Sequence, residues 1–191
     1  MKSLIVASSV IFLSGCVPVI IGGMAAGGYT AARDKKFGDS INDSKIDVAV
    51  KNRLYKISPQ LFSEVSAVCD ENCVLLTGAV SNPEWVSVAE RETWMVDGVR
   101  VVYNNVRAGS PLSIGQVTKD NLITTSCKST LLCTSNVRSI NYKLKTSDRV
   151  VYVRGLARSE DELAIVLEKL KGVSGVKKIV SYVRVMKNER T

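Results

Sequence analysis

The chain contains 191 residues, of which 46% are hydrophobic and 23% are charged, and this ordinary globular composition excludes wholesale disorder. The length allows one or two small domains. The formal net charge is +8 and histidine is absent. The charge favours an anionic partner such as nucleic acid, anionic lipid or an acidic protein. The absence of histidine excludes every site in which an imidazole acts as a base or as a metal ligand.

The N-terminal segment predicts an export signal. Lys2 precedes an uncharged apolar run, and Leu13-Ser14-Gly15-Cys16 follows that run. The tetrapeptide resembles a bacterial lipobox, which implies cleavage before Cys16 and attachment of acyl chains such as palmitate to it. An uncleaved membrane helix is the alternative, and Pro18 together with four nearby glycines disfavours it.

The residue after the predicted lipidation site indicates in which membrane the protein is anchored. Val17 follows the cysteine, rather than the Asp that retains such lipoproteins in the inner membrane. We therefore expect a protein anchored by Cys16 in the outer membrane and facing the periplasm, where nucleic acid is not an available partner.

The sequence overlays itself after a shift of 77 residues, with Gly78 on Gly155 and Gly98 on Gly175. Matching glycines and apolar anchors indicate two copies of one domain. We expect a signal peptide over 1–15, a lipidated tether over 16–38, domains at 39–107 and 117–187, a linker over 108–116 and a tail over 188–191.

Each copy predicts the order α-β-β-α-β. In the first copy, apolar residues at helical spacing predict a helix over 43–55, and a turn at 70–72 separates two strands. A second helix begins near Asn82-Pro83, and a third strand covers 99–106. In the middle strand Val74 and Leu76 alternate with Leu75, which indicates one buried face. The predicted class is α+β, with two helices on one face of each three-stranded mixed sheet.

Short motifs around the repeated glycines resemble those of BON domains: Thr77-Gly78 and Asp97-Gly98-Val99 in the first copy, Arg154-Gly155 and Ser174-Gly175-Val176 in the second. With the lipobox, the chain is similar to the dual-BON-domain outer-membrane lipoproteins. That resemblance implies a non-enzymatic protein without cofactor or small-molecule substrate. It also implies that the second domain binds anionic phospholipid such as phosphatidylglycerol, supporting envelope integrity and gathering at division sites.

Comparison of the two copies suggests where the lipid would bind. Leu122 occupies the position of Lys45, one residue before an apolar core position, so a charged surface residue has become apolar. The predicted phospholipid-binding residues surround it on one helix: Lys119, Leu122, Ser126, Lys128, Ser129 and Leu132. The alternative is that Leu122 packs against the first domain.

Four cysteines remain after Cys16, an even number in an oxidising compartment. Their spacing favours disulfides between Cys69 and Cys73 and between Cys127 and Cys133, the second only if a helix ends between the two residues. Buried free thiols are the alternative. A zinc site fits poorly because neither pair has two intervening residues.

Two tryptophans support a rival function. Trp85 and Trp94 align with Glu162 and Lys171, which are unlikely core residues, so we expect both rings to lie off the core. They would then seal the contact between the domains or meet another protein. The rival function is a scaffold for outer-membrane assembly or division proteins.

Overall fold

A computed structural model describes residues 37–186, with side chains from residue 42 onward. In the first domain, helix α1 (Phe37–Ile57) and the short helix α2 (Pro59–Glu64) precede the hairpin strands β1 (Val65–Asp70) and β2 (Cys73–Val80). Helix α3 (Glu84–Trp94) then leads to strand β3 (Val101–Ala108). The sheet order is β1-β2-β3, with an antiparallel hairpin and a parallel β2–β3 pair.

The second domain repeats this order. It contains helix α4 (Ile114–Leu132), a 3₁₀ turn (Ser139–Asn141), strands β4 (Tyr142–Ser147) and β5 (Val150–Ala157), helix α5 (Glu160–Lys171) and strand β6 (Lys178–Val185). Its sheet order is β4-β5-β6 with the same pairing directions. The predicted α+β class and the mixed three-stranded sheets are confirmed. The one element that the periodicity missed in both copies is the short turn of helix before each hairpin.

Each hairpin has a two-residue turn held by a buried carboxylate. Both central residues have positive φ in each turn, 49° and 60° at Glu71-Asn72, as a type I′ turn requires. Asp43 accepts hydrogen bonds from the backbone N–H groups of both residues, and Asp120 does the same for the turn of the second domain. Each first helix is thereby fixed to its hairpin.

A glycine in each middle strand allows the backbone that precedes the first hairpin strand to pass close to it. Gly78 and Gly155 have φ of +142°, and a Cβ atom there would overlap the backbone carbonyl oxygens of Glu64 and Asn141 respectively. Only glycine combines this backbone conformation with so close an approach. The repeated glycine of the sequence motif is therefore a packing requirement.

Each domain has its own apolar core between its helices and one face of its sheet. Ile46, Val50 and Leu54 of α1 pack on Val74 and Leu76, and corresponding residues form the second core. Both cores lie entirely within residues 46–185. A chain that begins at residue 34 therefore retains every core residue and is expected to fold on its own.

In each sheet, the face that does not pack on the helices lies against the same face of the other sheet. Tyr103 of β3 stacks on Tyr182 of β6 with ring centroids 4.0 Å apart. Leu75 and Thr77, on the face away from the helices, are only 2% and 1% exposed. The expectation that β2 buries one face is therefore wrong: it buries both, because a second sheet covers the face that helices leave open.

The contact between the sheets has approximate twofold symmetry. Asn105 and Tyr182, which are 77 residues apart and equivalent in the repeat, hydrogen-bond to each other. On either side, Arg107 pairs with Asp148 and Arg184 pairs with Glu71, two ion pairs related by the same shift. Among residues 37–186, no helix is both long and apolar enough to cross a membrane.

Candidate functional site

The predicted lipid-binding residues lie on α4, whose opposite side packs into the second core. Ile123, Cys127 and Leu131 are buried on that side. Leu122 is 63% exposed, so it does not pack against the first domain. Lys119, Ser126, Lys128 and Ser129 are exposed as well, and Leu132 is 75% exposed at the helix end. The helical spacing places Leu122, Ser126 and Ser129 in one strip with Leu132 at its edge, whereas Lys128 lies about a third of a turn around the helix from Leu122.

Leu122 borders a shallow apolar hollow of about 330 Å³, lined also by Lys119, Ile123, Arg149 and Gly175. Arg149 lies in the β4–β5 turn, where its Nε donates a hydrogen bond to the carbonyl oxygen of Gly175. Two cations thus flank one exposed leucine over an apolar floor. Sequence reasoning missed Arg149, because the turn and the loop after α5 meet α4 only in the folded domain.

The equivalent corner of the first domain has different chemistry. Asn42, Lys45 and Asn72 replace Lys119, Leu122 and Arg149 around Gly98. The Asn42 side-chain amide donates to the Asn72 side-chain oxygen over 3.1 Å, which joins two neutral groups. Only the second domain therefore combines an exposed leucine with two cations at this corner.

The structure corrects the predicted pairing of Cys69 with Cys73. Because the turn has two residues, Cys73 pairs with Asp70, and Cys69 pairs with Val74. Neighbouring strand positions face opposite sides of a sheet, so the two thiols point apart. Cys69 is buried beside Asp43. Burial, and to a smaller extent the Asp43 carboxylate, raises the pKa of the thiol to about 12.

Cys127 and Cys133 are also free thiols. Helix α4 continues to Leu132, so it does not end between them as their pairing required. Cys127 is fully buried in the second core, and burial raises its pKa to about 11, whereas Cys133 is exposed after the last turn. The four described cysteines thus match the alternative of free thiols, and no group of three or more metal-ligating side chains occurs in residues 37–186.

The expectation that Trp85 lies off the core is wrong, and so is the assumption that Glu162, the equivalent residue of the second domain, is not buried. Trp85 packs against the first core, and Glu162 at the equivalent position is 3% exposed. The Glu162 carboxylate accepts hydrogen bonds from the backbone N–H groups of Arg138 and Arg158 and from the Arg158 guanidinium. Burial raises the pKa of Glu162, but these hydrogen bonds outweigh it, so the net shift is downward. Trp94 is off the core, with 49% of its surface exposed.

The BON-domain family profile matches residues 42–110 and 119–187 of this chain, which is both repeats. The chain belongs to the BON-domain family. The two matched segments cover the two α-β-β-α-β units except for the first residues of α1 and α4, so each unit is a BON domain.

Several known proteins are similar to this chain over most of its length. An outer membrane lipoprotein, DolP, of Haemophilus influenzae is 31% identical over 95% of this chain and 95% of its own length. A 21 kDa hemolysin of Actinobacillus pleuropneumoniae is 30% identical over 77% of each chain. An uncharacterized protein in the gshII 5' region of Anaplasma centrale is 32% identical over 75% of this chain and 95% of its own length. The predicted signal peptide and the predicted anchor Cys16 lie outside the described residues.

Proposed function

We propose that this protein is an outer-membrane-anchored periplasmic lipoprotein that binds anionic phospholipid through its second BON domain. In this role it supports the integrity of the envelope, including at division sites, and it catalyses no reaction. The anchor is Cys16. The similarity to an outer membrane lipoprotein over 95% of both chains supports the location, since it extends past the BON domains into the N-terminal segment.

The difference between the two equivalent corners carries the proposal. Leu122 is exposed between Lys119 and Arg149 in the second domain, whereas Lys45 lies beside two asparagines in the first. Leu122 would enter the boundary between headgroups and acyl chains, and the two cations would meet lipid phosphates. A basic residue near an anionic surface contributes about 1 kcal/mol, which is about a fivefold change in affinity for each.

Flotation of residues 34–191 with vesicles of phosphatidylglycerol and phosphatidylcholine tests this proposal. Binding should rise with the phosphatidylglycerol fraction and fall with salt, because exposed charges are screened. Leu122→Glu should weaken binding at least tenfold, and Lys119→Ala by about fivefold. Lys45→Glu, the matched change in the first domain, should have less effect than either. Leu122→Trp should strengthen binding, because tryptophan favours the membrane interface.

Leu122→Glu is not expected to disturb folding, because the residue is exposed. Circular dichroism checks this directly. A folded Leu122→Glu variant that floats like the parent chain would refute the site. Equal binding to vesicles with and without phosphatidylglycerol would refute the lipid class.

The exposed end of α3 favours a second candidate function, that of a protein-binding scaffold. Trp94 and Met95 are 49% and 53% exposed side by side, and exposed tryptophan is frequent in protein interfaces. A scaffold would retain an envelope protein in pull-downs regardless of lipid composition. Trp94→Ala should abolish that retention, and Leu122→Glu should leave it unchanged.

A further inference from the structure

The contact between the two domains has a cleft at each end, and the two clefts are chemically different. One is polar and is lined by Arg100, Arg154 and Arg184 together with Asp70 and Glu71. The other has a volume of about 610 Å³ and lies between α2 and β1 of the first domain, the linker, and α4 and β4 of the second. We call the second one the apolar cleft; its lining includes Phe62, Ser66, Thr77, Ile114, Val117 and Lys145.

The two clefts differ because different residues occupy the positions that the approximate twofold symmetry relates. At the polar cleft, the Arg154 guanidinium donates to the carbonyl oxygens of Asp70 and Cys73, and the Lys143 ammonium donates to that of Cys69. These long side chains cross the interface. At the apolar cleft, the equivalent positions hold Thr77 and Ser66, which are too short to cross it. The cleft between the domains is therefore left unfilled on that side.

Two polar groups of the apolar cleft have no partner among the described residues. The Thr77 hydroxyl is buried and makes no hydrogen bond. The half-buried Lys145 side chain makes neither a hydrogen bond nor an ion pair, whereas Lys51 pairs with Asp47. The pKa of Lys145 is lowered, mainly by burial. The nearby Asp120 carboxylate opposes this shift, and the Lys51 ammonium adds to it.

The acidic side chains of the cleft are already engaged. The Glu64 carboxylate accepts hydrogen bonds from the backbone and hydroxyl of Ser81, and Asp120 accepts from two backbone N–H groups. Among the described residues neither carboxylate forms an ion pair with Lys145, although Asp120 is near enough to raise its pKa. An anionic group at the inner end of the cleft would compensate a cation that burial has partly removed from water.

The outer part of the apolar cleft is hydrophobic. Phe62, Val117 and Ile114 are 41%, 42% and 87% exposed around its mouth, although they come from both domains. A pocket of a few hundred Å³ with mainly apolar walls and few polar groups is typical of small-molecule sites. We propose that the apolar cleft binds a fatty-acid anion, with its carboxylate at Lys145 and Thr77 and its chain along Phe62, Ile114 and Val117.

Calorimetric titration of residues 34–191 with laurate below its micelle concentration tests this proposal. Laurate should bind at one saturable site, and dodecyltrimethylammonium, with an equally long chain and the opposite charge, should bind at least tenfold more weakly. Thr77→Arg introduces the side chain of the symmetry-related position and should weaken laurate binding at least tenfold by filling the cleft. Val117→Glu, at the exposed mouth, should do the same by placing a charged group against the apolar chain, with less risk to folding.

The membrane face of α4 provides the matched control. Leu122→Glu should change laurate affinity less than twofold, and Val117→Glu should leave vesicle flotation unchanged. Absence of saturable laurate binding, or unchanged affinity in a folded Val117→Glu variant, would overturn the proposal. Laurate binding that Leu122→Glu abolishes would also overturn it and would assign the amphiphile to the membrane face.

Discussion

Arg154 is the side chain that we expect to couple the two BON domains most strongly. It is 6% exposed, and its guanidinium donates to the carbonyl oxygens of Cys73 and Asp70 over 2.5 and 2.8 Å. It also lies 5.4 Å from the centre of the Tyr103 ring. All three contacts join the second domain to the first. Arg154→Thr would remove them and would place at this position the residue found at its symmetry mate, Thr77.

The expected loss follows from these contacts. Two hydrogen bonds from a charged donor contribute about 3–6 kcal/mol together, and the cation–π contact adds about 0.5–2 kcal/mol. Removing a buried guanidinium also recovers a desolvation penalty of several kcal/mol. We therefore expect Arg154→Thr to lower the free energy of unfolding by about 2–4 kcal/mol.

The two tryptophans make the coupling measurable, because both lie in the first domain. In a urea titration of residues 34–191, tryptophan fluorescence follows the first domain, while far-UV circular dichroism follows both. The two probes should give one transition for the parent chain and separate transitions for Arg154→Thr. The control is Arg184→Thr, since Arg184 pairs with Glu71 across the same interface but has a 68% exposed side chain. This change should cost at most about 1 kcal/mol. Equal effects of the two substitutions would refute the reasoning.

Gly155→Ala should lower the free energy of unfolding by about 2–4 kcal/mol, because its Cβ would strain a left-handed backbone and overlap a neighbouring carbonyl; urea titration measures this. Glu162 has a lowered pKa in the folded chain, so its stabilisation is present above the unfolded pKa of about 4.3 and is lost as pH falls through the folded pKa. Glu162→Gln should therefore cost about 1–3 kcal/mol at pH 7, and its difference from the parent chain should shrink in titrations below pH 4. Under native conditions a maleimide should label the exposed Cys133 and leave the buried Cys127 unmodified, and peptide mapping that finds them joined in a disulfide would contradict the free-thiol structure. Cys16→Ser should leave an unprocessed precursor that no longer partitions with outer-membrane lipid, which mass spectrometry and fractionation check.

Local patterns in the sequence determined the identity and order of the elements. Helical spacing of Ile46, Val50 and Leu54 identified α1, and the repeat located the second copy of every element. The repeat aligned Gly98 with Gly175, and both have positive φ, 88° and 91°. These features could be predicted because they depend on residues within one turn of helix or one hairpin.

Features that depend on register or on distant residues could not be predicted from such patterns. A one-residue difference in the length of the first hairpin turn moved Cys73 to the sheet face opposite Cys69. Arg149 joined Lys119 and Leu122 because the β4–β5 turn folds onto α4, 29 residues away in sequence. The buried Glu162 likewise accepts a hydrogen bond from the backbone N–H of Arg138, 24 residues away in sequence.

The contact between the two sheets is the feature that the sequence alone predicts least. Alternation along β2 identifies the face that packs on the helices, but the other face, with Leu75 and Thr77, carries no periodic signal of a second sheet. The repeat predicts two similar domains and leaves their mutual orientation open, because surface complementarity is summed over strands from both halves of the chain. Tertiary packing therefore decided that Arg154 crosses the interface, and that Thr77, its counterpart, leaves a cleft.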